Sequence, residues 1–403
     1  MRKIFKATLV FGLAAACGVV GLPKFSGPAA VRADSGSFTE ISAKTADKTL
    51  DITAKAAFLM EGNSGKVLFS KDADKQLPIA SMVKVMTLAV VYDALEAGQI
   101  KITDDVSVSR NAGGMGGSQA FLDFDNTYKV DELIKSIIVA SANDSCVALA
   151  ELIAGNEDDF VAKMNAKAAE LGMKNTNYAN CTGLPAVGGY STAADCAKVY
   201  AYILKSPYYG MFEKVWMYDL THPSGRVTGL TNTNKHVRFY NDCTGGKTGF
   251  TSESGHCITV AASRRNLSPI AVIIGAGNSQ TRLDESRALM DWVFDNYENK
   301  LVVSSAEPAG SIKVLKAVVE QMDVFPRENF YDLVKKGDKN QPSINIELAQ
   351  SVKAPIGAAD AVGRIVVTDE GKVVAEIDIV TGADIKQMGY WDAVRKVINN
   401  FKI

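Results

Sequence analysis

From Ser81 to about Glu96 the chain repeats at helical spacing, and Met82, Val83, Met86, Leu88 and Ala89 leave it almost no polar face. A helix apolar nearly all round is stable only when other elements surround it. The chain must therefore build a large core, and 47% hydrophobic residues over 403 positions supply the material. That composition excludes a disordered chain, a collagen and a polytopic membrane protein. Before the helix, Ala56–Met60 and Val67–Phe69 flank Glu61-Gly62-Asn63-Ser64-Gly65 in a strand, turn, strand pattern. After it, periodicity predicts helices over 130–154, 157–171, 192–204 and 281–298, with strands at His256–Ala262 and Ile270–Gly275. Strands near both ends with helices between predict one α+β domain over residues 51–303.

The character changes near Ser304–Gly310. Short alternating runs follow at Val314–Val319, Ser343–Leu348, Arg364–Val367 and Val373–Ile379, and Asp369-Glu370-Gly371 is a hairpin turn between the last two. They predict a small all-β domain over 304–382. In 383–403, Met388, Trp391, Val394, Val397, Ile398 and Phe401 share one helical face. Four Lys/Arg against two Asp in 384–403 make this tail positive. The pattern is that of an amphipathic helix lying in a membrane surface, preferred to a helix docked on the β domain.

At the other end, Arg2, Lys3 and Lys6 precede the apolar run Ala7–Leu22, with small residues near Val31-Arg32-Ala33. Residues 1–33 read as a signal peptide and 34–50 as a polar linker, so the expectation is an exported protein. The formal net charge of −1 gives no basic field for nucleic acid. Beyond Cys17 there remain Cys146, Cys181, Cys196, Cys243 and Cys257, an odd set without metal-ligand spacing, so no metal and no cofactor is expected.

Only three histidines occur, His222, His236 and His256, and nothing frames any of them as the base of a nucleophile. An activated serine would then need a different base, and lysine is the alternative. Ser81 is the only serine followed by lysine three positions later, at Lys84. Three residues apart on a helix share a face, so the amine can reach the hydroxyl. Apolar neighbours favour the neutral amine that a base requires. Ser141-Ala142-Asn143 offers a hydroxyl and an amide between two helical stretches. Lys247-Thr248-Gly249, after Gly245-Gly246, offers a cation and a hydroxyl for a carboxylate, and a glycine where a substrate backbone can come close. Each element alone is uninformative. The three in this order in one exported chain are not.

These elements resemble the serine-type D-alanyl-D-alanine carboxypeptidases, the low-molecular-mass penicillin-binding proteins. The likeness extends through Pro78–Thr87, Gly117–Leu122, Ser141–Ser145, Gly183-Leu184, Tyr190–Ala193 and Gly246–Thr251, and covers roughly residues 50–300 strongly. Ala142 stands where the family has glycine, His236 where an apolar residue is expected, and Cys243 and Cys257 bracket the third motif as candidate strand neighbours. The resemblance implies a β-lactamase/transpeptidase-like catalytic domain, an antiparallel sheet with a helical cluster. It implies that Ser81 attacks the penultimate D-alanine of a peptidoglycan stem peptide and that Lys84 takes its proton. Ser141, bonded between Lys84 and Lys247, passes a proton to the leaving D-alanine. Asn143 orients the substrate amide, and Lys247, Thr248 and Gly249 line the carboxylate end. The N–H groups of Ser81 and Phe250 form the oxyanion hole. β-Lactam antibiotics are then covalent inhibitors, and the place of action is the outer face of the cytoplasmic membrane or the cell wall, with the tail as a peripheral anchor. A class A β-lactamase is disfavoured because no deacylating carboxylate segment lies between Glu170 and Ser191. The alternatives are a DD-endopeptidase acting on crosslinks and a catalytically silent peptidoglycan-binding protein on the same fold.

Overall fold

A computed structural model describes residues 50–400. The signal peptide and nearly all of the linker lie outside the described residues. The chain divides into two compact units, residues 50–304 with Glu328–Pro342, and Ser305–Arg327 with residues 343–400.

The first unit is built on a five-stranded antiparallel sheet. Its strands are β1 (Ala56–Glu61), β2 (Val67–Lys71), β3 (Cys243–Thr251), β4 (Gly255–Ala262) and β5 (Pro269–Ala276), in the order β2-β1-β5-β4-β3. The central strand β5, Pro-Ile-Ala-Val-Ile-Ile-Gly-Ala, is apolar throughout because both faces are covered. Alternation sorts its side chains: Ile270, Val272 and Ile274 enter one core, Ala271 and Ile273 the other. The first core holds the helical cluster α1 (Lys84–Glu96), α2 (Val130–Ala140), α3 (Asn143–Ala154), α4 (Glu157–Glu170) and α5 (Ala193–Ile203). The second is closed by α6 (Ser279–Asn296) through Leu283, Leu289, Met290, Val293 and Phe294. As its sequence requires, α1 is buried on every side.

Two local features shape this unit. The expected helix over 130–154 breaks at Ser141, whose φ of 61° and ψ of 35° end α2 in a left-handed cap before α3 begins at Asn143. Periodicity is continuous across the break, and it is the Ser141-Ala142-Asn143 motif, expected between two helical stretches, that marks it. At the β1 end, the buried Glu61 carboxylate accepts from the N–H groups of Asn63, Ser64 and Ser268, which fixes the first turn.

Where the sequence reading runs the β domain unbroken from 304, the chain returns at Glu328–Pro342 to the first unit. There β6 (Tyr297–Val303) pairs with β9 (Phe330–Lys335). The second unit contains β7 (Gly310–Leu315), β8 (Gln321–Pro326), β10 (Ser343–Leu348), β11 (Ser351–Lys353), β12 (Ala361–Asp369) and β13 (Lys372–Val380). They form one sheet in the order β10-β12-β13-β8-β7-β11. Glu370 and Gly371, both at positive φ, make the two-residue turn from β12 to β13. The tail forms α7 (Tyr390–Asn400), and Lys396 in it pairs with Glu320 at 2.7 Å.

Candidate active site

Ser81 sits in a 3₁₀ turn, Ala80–Val83, that runs directly into α1. The turn opens with Ala80 at a φ of 48°. It is braced by two glycines. A Cβ on Gly183, at a φ of 79°, would lie 2.0 Å from the Ala80 carbonyl oxygen, and one on Gly249 would lie 3.1 Å from the Ser81 nitrogen. Only glycine lets the 180s loop and β3 approach so closely.

Lys84, one turn later, is fully buried, and its Nζ donates to Ser81 Oγ at 3.0 Å and to the Thr182 carbonyl at 2.5 Å. Burial holds its pKa below the ordinary lysine value, against weaker opposing fields from Cys146, Cys181 and Asp144. Among the described residues Lys84 is the sole hydrogen-bond partner of the Ser81 hydroxyl. The histidines are engaged elsewhere. His222 bonds Tyr128 and Thr228, His236 bonds Ser286, and His256 stacks on Phe250.

Ser141 hangs from the break between α2 and α3 and accepts from Lys247 Nζ at 2.8 Å. Its expected second bond, to Lys84, is not made, because the Lys84 amine is turned to Ser81 and Thr182. Lys247 also donates to the Thr248 carbonyl at 2.9 Å, and the Thr248 hydroxyl donates to Thr233 at 2.7 Å. Burial pushes Lys247 well below the lysine range, and repulsion from Lys84 and Arg282 adds to it. Gly249 and Phe250 continue β3, which is an edge strand with one side unpaired within the sheet. The Phe250 side chain is exposed.

Asn143 donates from Nδ2 to the Gly116 carbonyl at 2.7 Å, while its Oδ1 is buried without a partner. A buried acceptor left without a partner is rare in a folded protein. All eight expected residues thus fall on adjoining elements, the Ser81 turn, the α2–α3 break and β3.

The sequence reading missed the residues that hold these groups in place. The Asp144 carboxylate, fully buried, accepts from the N–H groups of Ala120 and Leu122 and so fixes the loop whose Gly116 and Ser118 carbonyls hold Asn143. Arg282, buried on α6, donates to the carbonyls of Gly249 and Cys257. A charge inside a helix 33 residues beyond Gly249 carries no local signal of this. All five described cysteines are buried and free, and burial pushes the Cys146 thiol to about 12. Cys243 and Cys257 do lie on neighbouring strands, but they face Ala262 and Gly249 and not each other.

Residues 42–278 match the D-alanyl-D-alanine carboxypeptidase family, and residues 297–387 match the C-terminal domain of penicillin-binding protein 5. The chain belongs to the D-alanyl-D-alanine carboxypeptidase family. It is 36% identical over 349 residues to the D-alanyl-D-alanine carboxypeptidase DacF of Bacillus subtilis, covering 86% of this chain and 90% of that one. Among solved structures it is similar to penicillin binding protein 5 from Haemophilus influenzae, with a TM-score of 0.66, 29% identity, and coverage of 83% and 98%. It is also similar to PBP3 of Streptococcus pneumoniae, a peptidoglycan synthesis regulatory factor, with a TM-score of 0.71, 26% identity, and coverage of 83% and 100%. A carboxypeptidase of this family is a serine hydrolase that binds penicillin, and its fold is the α+β catalytic domain followed by a β domain found here.

Gly183→Ala is expected to displace the Ser81 turn, since the added methyl meets a backbone carbonyl that cannot yield. Acylation by a fluorescent penicillin should slow at least about a hundredfold, the scale of a misplacement near 1 Å. A wild-type acylation rate would show that the turn does not depend on this contact.

Proposed function

We propose that Ser81 is the nucleophile and Lys84 the general base of a D-alanyl-D-alanine carboxypeptidase acting on peptidoglycan stem peptides. The observation that carries this is the buried Lys84 amine 3.0 Å from Ser81 Oγ, with no imidazole or carboxylate of the described residues on that hydroxyl. Attack forms the Ser81 ester and passes the hydroxyl proton to Lys84. The N–H groups of Ser81 and Phe250 receive the oxyanion, at about 3–4 kcal/mol per donor. Ser141 delivers a proton to the departing D-alanine nitrogen. Its bond to Lys247 links it to the cation that, with Thr248, holds the terminal carboxylate. Because Ser141 is not bonded to Lys84, the relay needs a small Lys84 rotation or an intervening water. Asn143 Oδ1 takes the substrate N–H, and Gly249 admits its backbone. Water then hydrolyses the ester. β-Lactams acylate the same serine.

The proposal includes export and peripheral anchoring. No helix of the described residues is long and apolar enough to cross a membrane. On α7, however, Trp391, Val397 and Ile398 are exposed, while Val394 and Lys396 are half-buried. A helix docked through its apolar face would show the opposite, which favours insertion into a lipid surface. Phe401 lies outside the described residues.

Ser81→Ala is expected to abolish both D-alanine release and penicillin labelling, and retained labelling would remove Ser81 from the role. Mass spectrometry of pentapeptide and crosslinked muropeptides after incubation separates a carboxypeptidase from an endopeptidase.

The base predicts a pH profile. A lysine with a depressed pKa is neutral at lower pH than usual, so acylation should rise with pH and level off, with its midpoint below the ordinary lysine value of 10.5. Activity is lost as pH falls through that midpoint. Lys84→Arg, which stays charged, should acylate about 10²–10⁴ times more slowly above that midpoint, and the gap should narrow as pH falls below it. A flat wild-type profile would reject Lys84 as base.

Removing residues 384–403 is expected to abolish binding to anionic lipid vesicles while leaving hydrolysis of soluble peptides intact. Unchanged vesicle binding would support the docked helix instead.

A further inference from the structure

The strand that carries Lys247 changes face just before it. Cys243 pairs with Ala262 of β4 and packs with it in the second core, under α6. Lys247 pairs with Thr259 and points the other way, to Ser141 beside the helical cluster. Thr259 reaches the Met82 sulfur on that same side. Positions four apart on a regular strand share a face, so Cys243 and Lys247 could not both hold these places in an unbroken β3.

The register contains the extra residue that lets them. Between the pairs Cys243–Ala262 and Gly246–Val260, β3 has Thr244 and Gly245 where β4 has only Ala261. Such a one-residue bulge re-aims the side chains beyond it. Without it, the alternation would turn Lys247 into the second core, away from Ser141 and Ser81.

Two groups that no step of the proposed reaction uses close on the bulge. The buried, free Cys243 thiol accepts from the Gly245 N–H at 3.4 Å and donates to the Gly245 carbonyl at 3.4 Å. Burial pushes this thiol to about 11, so it keeps the proton that it donates. From the first core, the buried Tyr209 hydroxyl lies against the same residue, and a Cβ on Gly245 would come within 2.3 Å of it. That hydroxyl is held in turn by Tyr200 at 2.6 Å. Gly245 takes a φ of 115° and Gly246 one of 154°, which leaves both positions to glycine. Among the described residues neither Cys243 nor Tyr209 hydrogen-bonds to Ser81, Lys84, Ser141 or Lys247.

We propose that Cys243 and Tyr209 are positioning residues, which hold the bulge in the register that turns Lys247 to Ser141 and so set how tightly the site grips a terminal carboxylate. This rests on the proposed role of Lys247. The thiol works from one face of the strand and the phenol from the other, so loosening either lets the bulge slide and Lys247 swing out of line.

The test follows release of the last residue from diacetyl-lysyl-D-Ala-D-Ala and from the same peptide ending in an amide, using the full-length protein. Wild type should prefer the free acid. Cys243→Ala and Tyr209→Phe should each raise KM for the acid about fivefold, the scale of one hydrogen bond, with kcat changed less than about twofold. Kinetics on the amide should stay as in wild type, whereas a merely weakened fold would slow both peptides alike. Cys243→Ser should restore most of the preference, because a hydroxyl also donates and accepts. A second measurement reads position directly, by reductive methylation of the lysines and mass spectrometry. Lys247 should be protected in wild type and become reactive in Cys243→Ala and Tyr209→Phe, while Lys84 stays protected. An unchanged acid-to-amide ratio, an equal loss on both peptides, or a Lys247 as protected as Lys84 in both variants would overturn the proposal. A wild type that does not distinguish acid from amide would instead reject Lys247 as the carboxylate's partner, and the methylation pattern would still decide whether the bulge holds it.

Discussion

A buried amine organises this protein. Lys84 sits in the first turn of a helix buried on every side, and its Nζ has two oxygen partners, the Ser81 hydroxyl and the Thr182 carbonyl. A charged ammonium there would sacrifice its hydration for two hydrogen bonds, so the neutral form gains ground. That depression is what the proposed base requires, and it exists only because α2 to α5 and the sheet enclose α1. The large core is therefore a condition of the chemistry as well as of stability.

The second cation obeys the same physics with a different result. Lys247 is buried, feels Lys84, and is held by Ser141 and the Thr248 carbonyl. Two buried amines disfavour each other's charge. An anion arriving at Lys247 and Thr248 would reverse this locally by supplying a counter-charge. In the proposed mechanism, binding the carboxylate end and tuning the base are linked through one electrostatic site, and Arg282 behind Gly249 adds to its positive field. The glycines at 183 and 249 are the steric counterpart, since they let three separate segments meet at the Ser81 turn.

Much of this was legible in the chain. The apolar helix, the Ser81–Lys84 spacing, the scarcity of histidine and the three short motifs all depend on near neighbours, and local periodicity preserves them. The α+β class and the change of character near residue 304 were visible for the same reason. Periodicity hid the break at Ser141, because α2 and α3 keep one hydrophobic rhythm across it, and only the motif placed Ser141 between two helical stretches. Asp144, Thr182, Thr233 and Arg282 were missed because each acts through a partner far away in sequence. The return of Glu328–Pro342 to the first unit, where β9 pairs with β6, is likewise a long-range strand pairing.

By itself the sequence determined which groups are present: a hydroxyl and an amine one helical turn apart, and a buried helix to carry them. Only the tertiary structure decided which way the Lys84 amine points, that Ser141 joins Lys247 and not Lys84, and that Asn143 keeps a free acceptor. The physical reason is range. Helical spacing is set within a few residues, whereas desolvation and hydrogen-bond direction are set by whatever the rest of the chain packs against them.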